Sequence, residues 1–318
     1  MRLIYILSEA EQRFSFTKIN TNAKWKRNGL TIAGGNGQGS ELNQLCCPCG
    51  IFLDDDSRCL YIVDSTNHRV VRWRYDEKSG QVVAGGNGPG NQMNQLKDPR
   101  SVIVDKTIRS LIISDRGNRR LVRWPCQNGT RGEILIPNID CYDMKMDSNG
   151  SLYVSDNENN EVRLWKIGEK LGIVVVGGNG KGDKLNQLSD PGYIFIDVDQ
   201  SIFISDWNNH RVMKWRKGEK EGVIVAGGQG EGCALTQLSH PQMLTVDHLG
   251  NVYVVDSWNH RVMRWLKGSK QGDVIAGEGE KGSRANQLSG PIGLSLDREG
   301  NLYIVDHWND RIQKFEID

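Results

Sequence analysis

The sequence has 318 residues, of which 37% are hydrophobic and 25% charged, a composition typical of folded globular proteins rather than disordered or collagen-like chains. The 40 Lys and Arg residues nearly balance 39 Asp and Glu residues, which removes the simplest argument for a dedicated nucleic-acid or membrane-surface binder. No apolar run approaches the roughly 18 residues of a membrane span, and the N-terminal apolar stretch is too short for a signal peptide. We therefore expect a cytoplasmic, monomeric protein with no membrane partner.

Residues 1–28 match none of the repeats that follow. We expect this N-terminal segment to be poorly ordered or vestigial. The next residues, GLTIAGG at 29–35, match the last strand of each later repeat but stand alone at the start of the chain. They are therefore predicted to complete the final repeat, at the other end of the chain.

A ten-residue segment that begins with Asp recurs six times from residue 64 onward. Its first copy is DSTNHRVVRW, and the six Asp residues are spaced 51, 41, 50, 50 and 50 residues apart. Two short apolar strands come first in each unit, and the second of them ends at the Asp. The second half of the ten-residue segment forms a third strand, and a fourth, such as GVIVAGG, follows. Four short strands in a 50-residue unit without helical periodicity are typical of a propeller blade, since radial packing leaves only short strand edges exposed.

The repeats predict an all-β fold, a six-bladed β-propeller of four-stranded antiparallel blades. The N-terminal strand completes the last blade and closes the ring. The predicted domain spans residues 29–318, with blades at about 46–86, 99–137, 141–178, 191–228, 241–277, and 291–318 plus 29–35.

The motifs Asn67-His68-Arg69, Asn209-His210-Arg211 and Asn259-His260-Arg261 lie within a D-x-x-N-x-R-V-x-x-W frame. This frame resembles the NHL repeat, and the loop GGNGxGxxxNQL resembles stand-alone invertebrate NHL propellers. The resemblance implies a six-bladed propeller that binds other macromolecules. More distantly, it is similar to the NHL domains of tripartite-motif ubiquitin ligases, which recruit targets for ubiquitination.

Repeated residues are predicted to be structural, because a catalytic group is needed once rather than six times. Function should lie where the repeats differ, on the face that carries the loops between blades and the turns between second and third strands. We call this the top face. The spacing of 41 predicts a missing loop and hence a notch between blades 2 and 3. The candidate binding residues are the charges around this notch and the tryptophans of three successive turns: Arg116, Arg119, Arg120, Glu158, Glu161, Trp207, Trp258 and Trp308.

A second candidate site consists of residues that directly precede inner strands. Asp98, Asp140, Asp190 and His240 could converge on the mouth of the central channel, and carboxylates with a histidine suit a divalent cation such as calcium. The preferred interpretation is that these residues are solvated loop ends and that no cofactor is bound, with the channel-bound cation as the alternative.

The leading functional hypothesis is a non-catalytic interaction module with a protein or peptide ligand on the top face, linked to ubiquitination as a recognition component. One alternative is RNA binding, which the net acidity of the top-face loops and turns disfavours. The other is a metal-dependent lyase or hydrolase that uses the central channel, because peptide-amidating lyases share the NHL fold. Whether the chain is an enzyme stays open at this stage, with a binding role preferred.

Overall fold

The computed structural model describes residues 19–20, 22–126, 129–166 and 168–318. It contains 24 strands in six four-stranded antiparallel sheets, which confirms the predicted six-bladed propeller. Blade 1 holds β2 (Pro48–Asp54), β3 (Cys59–Asp64), β4 (Arg69–Arg74) and β5 (Gln81–Gly85). Blade 2 holds β6 (Val102–Asp105), β7 (Ser110–Asp115), β8 (Arg120–Pro125) and β9 (Glu133–Pro137). Blade 3 holds β10 (Cys141–Met146), β11 (Leu152–Asp156), β12 (Glu161–Trp165) and β13 (Ile173–Gly177).

The other three blades follow the same order from the axis outward. Blade 4 holds β14 (Pro191–Ile196), β15 (Ile202–Asp206), β16 (Arg211–Trp215) and β17 (Val223–Gly227). Blade 5 holds β18 (Pro241–Val246), β19 (Val252–Asp256), β20 (Arg261–Trp265) and β21 (Asp273–Ala276). Blade 6 holds β22 (Gly293–Leu296), β23 (Leu302–Asp306), β24 (Arg311–Phe315) and, as its outer strand, β1 (Leu30–Gly34).

The ring is closed by the N-terminal strand, as the sequence predicts. β1 pairs antiparallel with β24, with Leu30 opposite Lys314 and Gly34 opposite Arg311. The two ends of the chain therefore share one sheet, so the last blade cannot form without the first strand.

The segment before β1 is packed where the structure describes it. Ile19, Ala23 and Trp25 are buried, and the Trp25 indole Nε1 donates to the Gly300 carbonyl at 2.8 Å. The expectation of a poorly ordered segment over residues 1–28 falls mostly on residues 1–18, which lie outside the described residues. In the described part, residues 22–28 contact blades 5 and 6: Trp25 packs edge-on against Tyr253, and the Lys26 N–H donates to the Glu316 carbonyl.

The core lies between blades, and the tryptophans of the third strands belong to it. Trp73, Trp124, Trp165, Trp215 and Trp265 are all at least nine-tenths buried. Each lies against a glycine that precedes its outer strand; a Cβ on Gly172 would come within 2.5 Å of the Trp165 ring. These tryptophans therefore pack the scaffold, as the repeat pattern predicts.

The central channel is blocked near the top face by two tyrosines. The inner strands of neighbouring blades pack on one another around the axis. Tyr193 is fully buried and its hydroxyl donates across the ring to the Cys49 carbonyl, at 3.2 Å. The Tyr142 hydroxyl donates to Gln242 Oε1, at 2.8 Å, and the two tyrosine rings meet edge-on with centroids 5.2 Å apart.

Within the described residues, no helix is long and apolar enough to cross a membrane.

Candidate functional site

The glycine loops of the top face are held in place by an Asp–Asn–Arg bracket in the same repeat. In blade 4, Arg211 Nε donates to Asp206 Oδ2 at 2.7 Å, and its remaining nitrogens donate to the carbonyls of Asp183, Lys184 and Gln187 at 2.7, 3.1 and 3.3 Å. Both Asp206 and Arg211 are buried. The same bracket recurs in four other blades, through Arg69, Arg120, Arg261 and Arg311.

Arg120 was predicted to line the notch between blades 2 and 3, and its geometry places it elsewhere. It is only 6% exposed, its Nε donates to Asp115 Oδ2 at 2.6 Å, and Nη1 donates to the Asn91 carbonyl at 2.9 Å. Nη1 and Nη2 are both directed to the loop before blade 2, where Nη2 donates to the carbonyls of Gln92 and Gln95. Arg120 is therefore part of the scaffold and does not reach a ligand in the notch.

Glu161 also belongs to the scaffold, and the shortened loop explains why it is there. It occupies the bracket position of blade 3, where three residues (138–140) replace the long glycine loop. An arginine there would have no loop carbonyls to bind. Glu161 is 6% exposed and instead pairs with Arg163 Nε at 2.5 Å. The missing loop thus accounts for the missing arginine.

The remaining notch charges pair across the gap between blades 2 and 3. Arg116 Nε donates to Asp140 Oδ1 at 2.8 Å, and Arg119 Nη2 pairs with Glu158 Oε2 at 2.5 Å. Arg119 and Glu158 are about half exposed. These two pairs bring Arg116, Arg119 and Glu158 to the same gap, where each charge is neutralised by its partner.

The three tryptophans of the top-face turns differ in exposure. Trp258 and Trp308 follow the bracket Asp by two residues and are 55% and 50% exposed. Trp207 follows its Asp by one residue, is only partly exposed, and faces blade 5, where its ring centroid lies 4.4 Å from His240 and 6.5 Å from Trp258. Trp258 stacks on His240 with centroids 3.9 Å apart. Two indoles are therefore presented to solvent, and the third, Trp207, packs against one of them, Trp258.

The four predicted metal ligands do not form a site. Among the described residues, no three of them have ligand atoms within 4.8 Å of one another, because they lie on successive blades around the ring. Each has its own partner instead. Asp140 pairs with Arg116, and Asp190 pairs with Lys181 Nζ at 2.7 Å. Asp98 lies 3.7 Å from His68 Nδ1, and His240 lies in the stack beneath Trp258. In the part of the chain that the structure describes, these four side chains therefore do not meet at one point.

A different group of ligand types does meet around His240. Ligand atoms of His210, Glu231 and His240 lie within 4.8 Å of one another. However, His210 Nδ1 accepts the backbone N–H of His240 at 3.2 Å, so the neutral ring carries its proton on Nε2, the nitrogen that faces Glu231 at 4.0 Å. Coordination through Nε2 would require that proton to leave while Nδ1 stays occupied. His210 therefore acts here as a hydrogen-bond acceptor for the His240 backbone rather than as a metal ligand.

That histidine contact is a repeated link between blades. His68, Asn160, His210, His260 and Asp310 occupy the same position in five repeats, and each accepts a backbone N–H from the residue that precedes the next inner strand. Only an acceptor is needed, which is why Asn and Asp replace His. The second metal-like group, Cys46, Cys47 and Asp310, includes the link that closes the ring, since Asp310 Oδ1 accepts the Cys47 N–H at 2.8 Å.

Two concave regions lie away from the top-face residues, and sequence reasoning missed both. A cavity of about 720 Å³ opens at the opposite end of the axis, with apolar walls from the inner strands. Its rim charges are paired across blades, as in the contacts of Lys106 and Arg298 with Asp56. A groove of about 1560 Å³ lies between blades 4 and 5.

Comparison with known proteins supports the fold. No protein-family model and no curated protein matches this chain. Solved structures do match. An auxiliary nutrient-binding protein from Bacteroides thetaiotaomicron has a TM-score of 0.71 at 17% identity, over 93% of this chain and 77% of that chain. A protein of unknown function from the same organism has a TM-score of 0.71 at 18% identity, over 92% and 76%. A gluconolactonase from Xanthomonas campestris has a TM-score of 0.64 at 12% identity, over 95% and 100%.

These likenesses define the class as a six-bladed β-propeller whose structural neighbours include binding proteins and gluconolactonase-like enzymes. At 12–18% identity they establish architecture only, since one such fold carries many functions.

Proposed function

We propose that this chain is an NHL-type propeller that works as a non-catalytic binding module and takes a protein or peptide segment on its top face. The observation that carries the proposal is the pair of exposed indoles, Trp258 and Trp308, on neighbouring turns of a rigid ring. Tryptophan is among the side chains most enriched at binding hot spots, because it combines a large apolar area with little conformational freedom.

The surroundings of these indoles support a pre-formed site. Trp258 is held by stacking on His240, whose pKa is lowered by burial and by the nearby His210, so the ring beneath Trp258 is neutral near pH 7. Trp308 packs over Gly290, where a Cβ would come within 2.6 Å of the indole. Lys281 Nζ lies 4.7 Å from the centroid of the Trp308 ring. Anchors that are already ordered lose little entropy when a ligand binds.

The charges of the same face favour a peptide over RNA. Arg116, Arg119 and Arg120 each contact a carboxylate, so the basic cluster that phosphate contacts would need is already neutralised. A peptide with charges of both signs can instead exchange with the exposed Arg119–Glu158 pair, at little cost in solvent.

The proposal is tested by selecting peptides from a randomised display library on the wild-type protein, and measuring the affinity of each selected peptide by fluorescence anisotropy. Trp258→Ala and Trp308→Ala should weaken binding by about 30-fold, the equivalent of a hot-spot loss of about 2 kcal/mol. The matched control is Leu171→Ala, which removes a side chain that is 79% exposed on the opposite face. Thermal melts verify that all three variants fold.

Two results would contradict the proposal. In the first, the selected peptides bind both tryptophan variants as tightly as wild type. In the second, no peptide is enriched while a randomised single-stranded RNA pool binds at about 150 mM salt, which would favour the RNA alternative.

A further inference from the structure

Arg100 is a cation at the top end of the axis that has no anionic partner. It lies just before β6, is only partly exposed, and its guanidinium lies 4.5 Å from the centroid of the Tyr142 ring. Nη2 donates to the Tyr142 hydroxyl. Nε is buried without a hydrogen-bond partner, and among the described residues no carboxylate lies within ion-pair distance of the side chain.

Among the three arginines whose buried Nε has no hydrogen-bond partner, Arg100 alone has no carboxylate within ion-pair distance in the part of the chain that the structure describes. Arg123 and Arg264 also have a buried Nε without a partner. However, Arg123 pairs with Glu133 at 3.0 Å, and Arg264 pairs with Asp273 at 3.5 Å. An unsatisfied Nε is therefore tolerated in this protein when the same guanidinium pairs with a carboxylate. At the axis, Arg100 has the unsatisfied Nε without such a carboxylate.

The two carboxylates that flank Tyr142 in the chain are already engaged. Asp140 accepts from Arg116. Asp143 is fully buried and accepts from Lys145 Nζ at 2.9 Å and from Ser101 Oγ at 2.6 Å. His307 adds no second positive charge here, since burial and Arg100 itself lower the pKa of that histidine. The axis thus carries one uncompensated positive charge.

An uncompensated guanidinium in this position is costly, and arginine cannot lose its proton to avoid that cost. Its planar fork matches a carboxylate through two parallel hydrogen bonds. The Gln242 side chain uses Oε1 to accept from Tyr142, which leaves its amide nitrogen as a second type of donor at the same place. A single unpaired charge is balanced by a monoanion, whereas a phosphate dianion would leave a negative charge in excess.

We propose that the top end of the axis, around Arg100, Tyr142 and Gln242, is a binding site for a monocarboxylate. The carboxylate belongs either to a small organic acid or to the free C-terminus of a peptide. This inference is independent of the peptide surface around Trp258, because it concerns the axis and a different kind of contact.

The test uses the full-length protein and measures the thermal midpoint and the dissociation constant by calorimetry. The probes are benzoate, its neutral analogue benzamide, inorganic phosphate, and N-acetyl-diglycine with a free or an amidated C-terminus. At ten times its dissociation constant, a bound carboxylate should raise the midpoint by about 2 °C for a chain of this size. A response to N-acetyl-diglycine but not benzoate assigns the source as a peptide C-terminus, and the reverse assigns a small acid.

The variants separate binding from structure. Arg100→Met should weaken carboxylate binding by at least about tenfold, and should leave the ligand-free midpoint unchanged or higher because it removes an unpaired charge. Arg123→Met, which removes a paired guanidinium from the same blade, should bind as wild type does. Arg100→Lys keeps the charge without the fork, and should bind about tenfold more weakly than wild type.

Several results would overturn the inference. These are equal binding of benzoate to wild type and Arg100→Met, equal binding of benzamide and benzoate, binding of phosphate alone, or no midpoint change with either carboxylate probe. A ligand-free midpoint that falls by several degrees in Arg100→Met would also overturn it, because the guanidinium would then be compensated within the protein.

Discussion

Replacing Arg211 with leucine should destabilise the ring strongly, because this arginine joins a buried carboxylate to a loop. The change removes the 2.7 Å bond to Asp206 and the bonds to the carbonyls of Asp183, Lys184 and Gln187. It also leaves the fully buried Asp206 without its cation. Breaking a buried pair from one side costs about 3–5 kcal/mol. At an unfolding entropy of about 2.1 cal/mol/K per residue, a loss of about 4 kcal/mol lowers the thermal midpoint by about 6 °C.

The matched control is Glu161→Leu, which changes the equivalent position in the blade that lacks the loop. Its partner Arg163 is one-third exposed, so we expect a loss of about 1 kcal/mol or less. The free energy of unfolding of both variants is measured by urea denaturation and calorimetry. The bracket argument is refuted if Arg211→Leu lies within about 1 kcal/mol of wild type, or if the two variants are equally destabilised.

Three further predictions concern the links between blades, the histidines and the N-terminal segment. His210→Asn should keep the stability of wild type in urea denaturation, because Asn160 makes the same link in blade 3, whereas His210→Leu should lose about 2 kcal/mol by leaving a buried N–H unpaired; equal losses would contradict this. Burial lowers the pKa of His260, so its contribution to stability is complete above about pH 6.5 and is lost as the pH falls below that value. The free energy of unfolding should therefore fall between about pH 7 and pH 5.5, and less in His260→Asn; identical pH profiles would exclude this. Trp25→Ala should cost about 3–5 kcal/mol, since the indole is buried and bonded to the Gly300 carbonyl, and an unchanged thermal midpoint would show that this segment does not support the ring.

The fold could be predicted from the sequence because one unit repeats in a fixed phase. Four strands per unit, six units and an unpaired first strand at residues 29–35 leave few ways to bury the apolar faces, and the closure of β1 on β24 follows. The structural roles of the repeated Asp and Arg could be anticipated for the same reason. The repeat does not show which carbonyls accept hydrogen bonds from each arginine, since those loop carbonyls lie 24–29 residues away in the chain.

The candidate site was less predictable, because it depends on distances across the ring. One difference is visible in the sequence: Trp207 follows its repeat Asp by one residue, whereas Trp258 and Trp308 follow theirs by two. The separation of Asp98, Asp140 and Asp190 was not visible, because equivalent positions on successive blades are spread around the axis. The contact between Tyr142 and Gln242 joins residues 100 positions apart, and its existence depends on the width of the channel.

Because the same polar contacts recur from blade to blade in this propeller, a charged group that lacks such a contact indicates a role outside the scaffold. Each bracket Asp, each loop-binding arginine and each inter-blade acceptor has a partner in its own or a neighbouring repeat. A charge that no repeat compensates then has a reason that the fold does not supply. Arg100 meets this condition at the axis, and the exposed Trp258 and Trp308 are its apolar counterparts at the rim. Because the ring stays rigid while such residues vary, a change at any of them should alter what is bound with little effect on the blades.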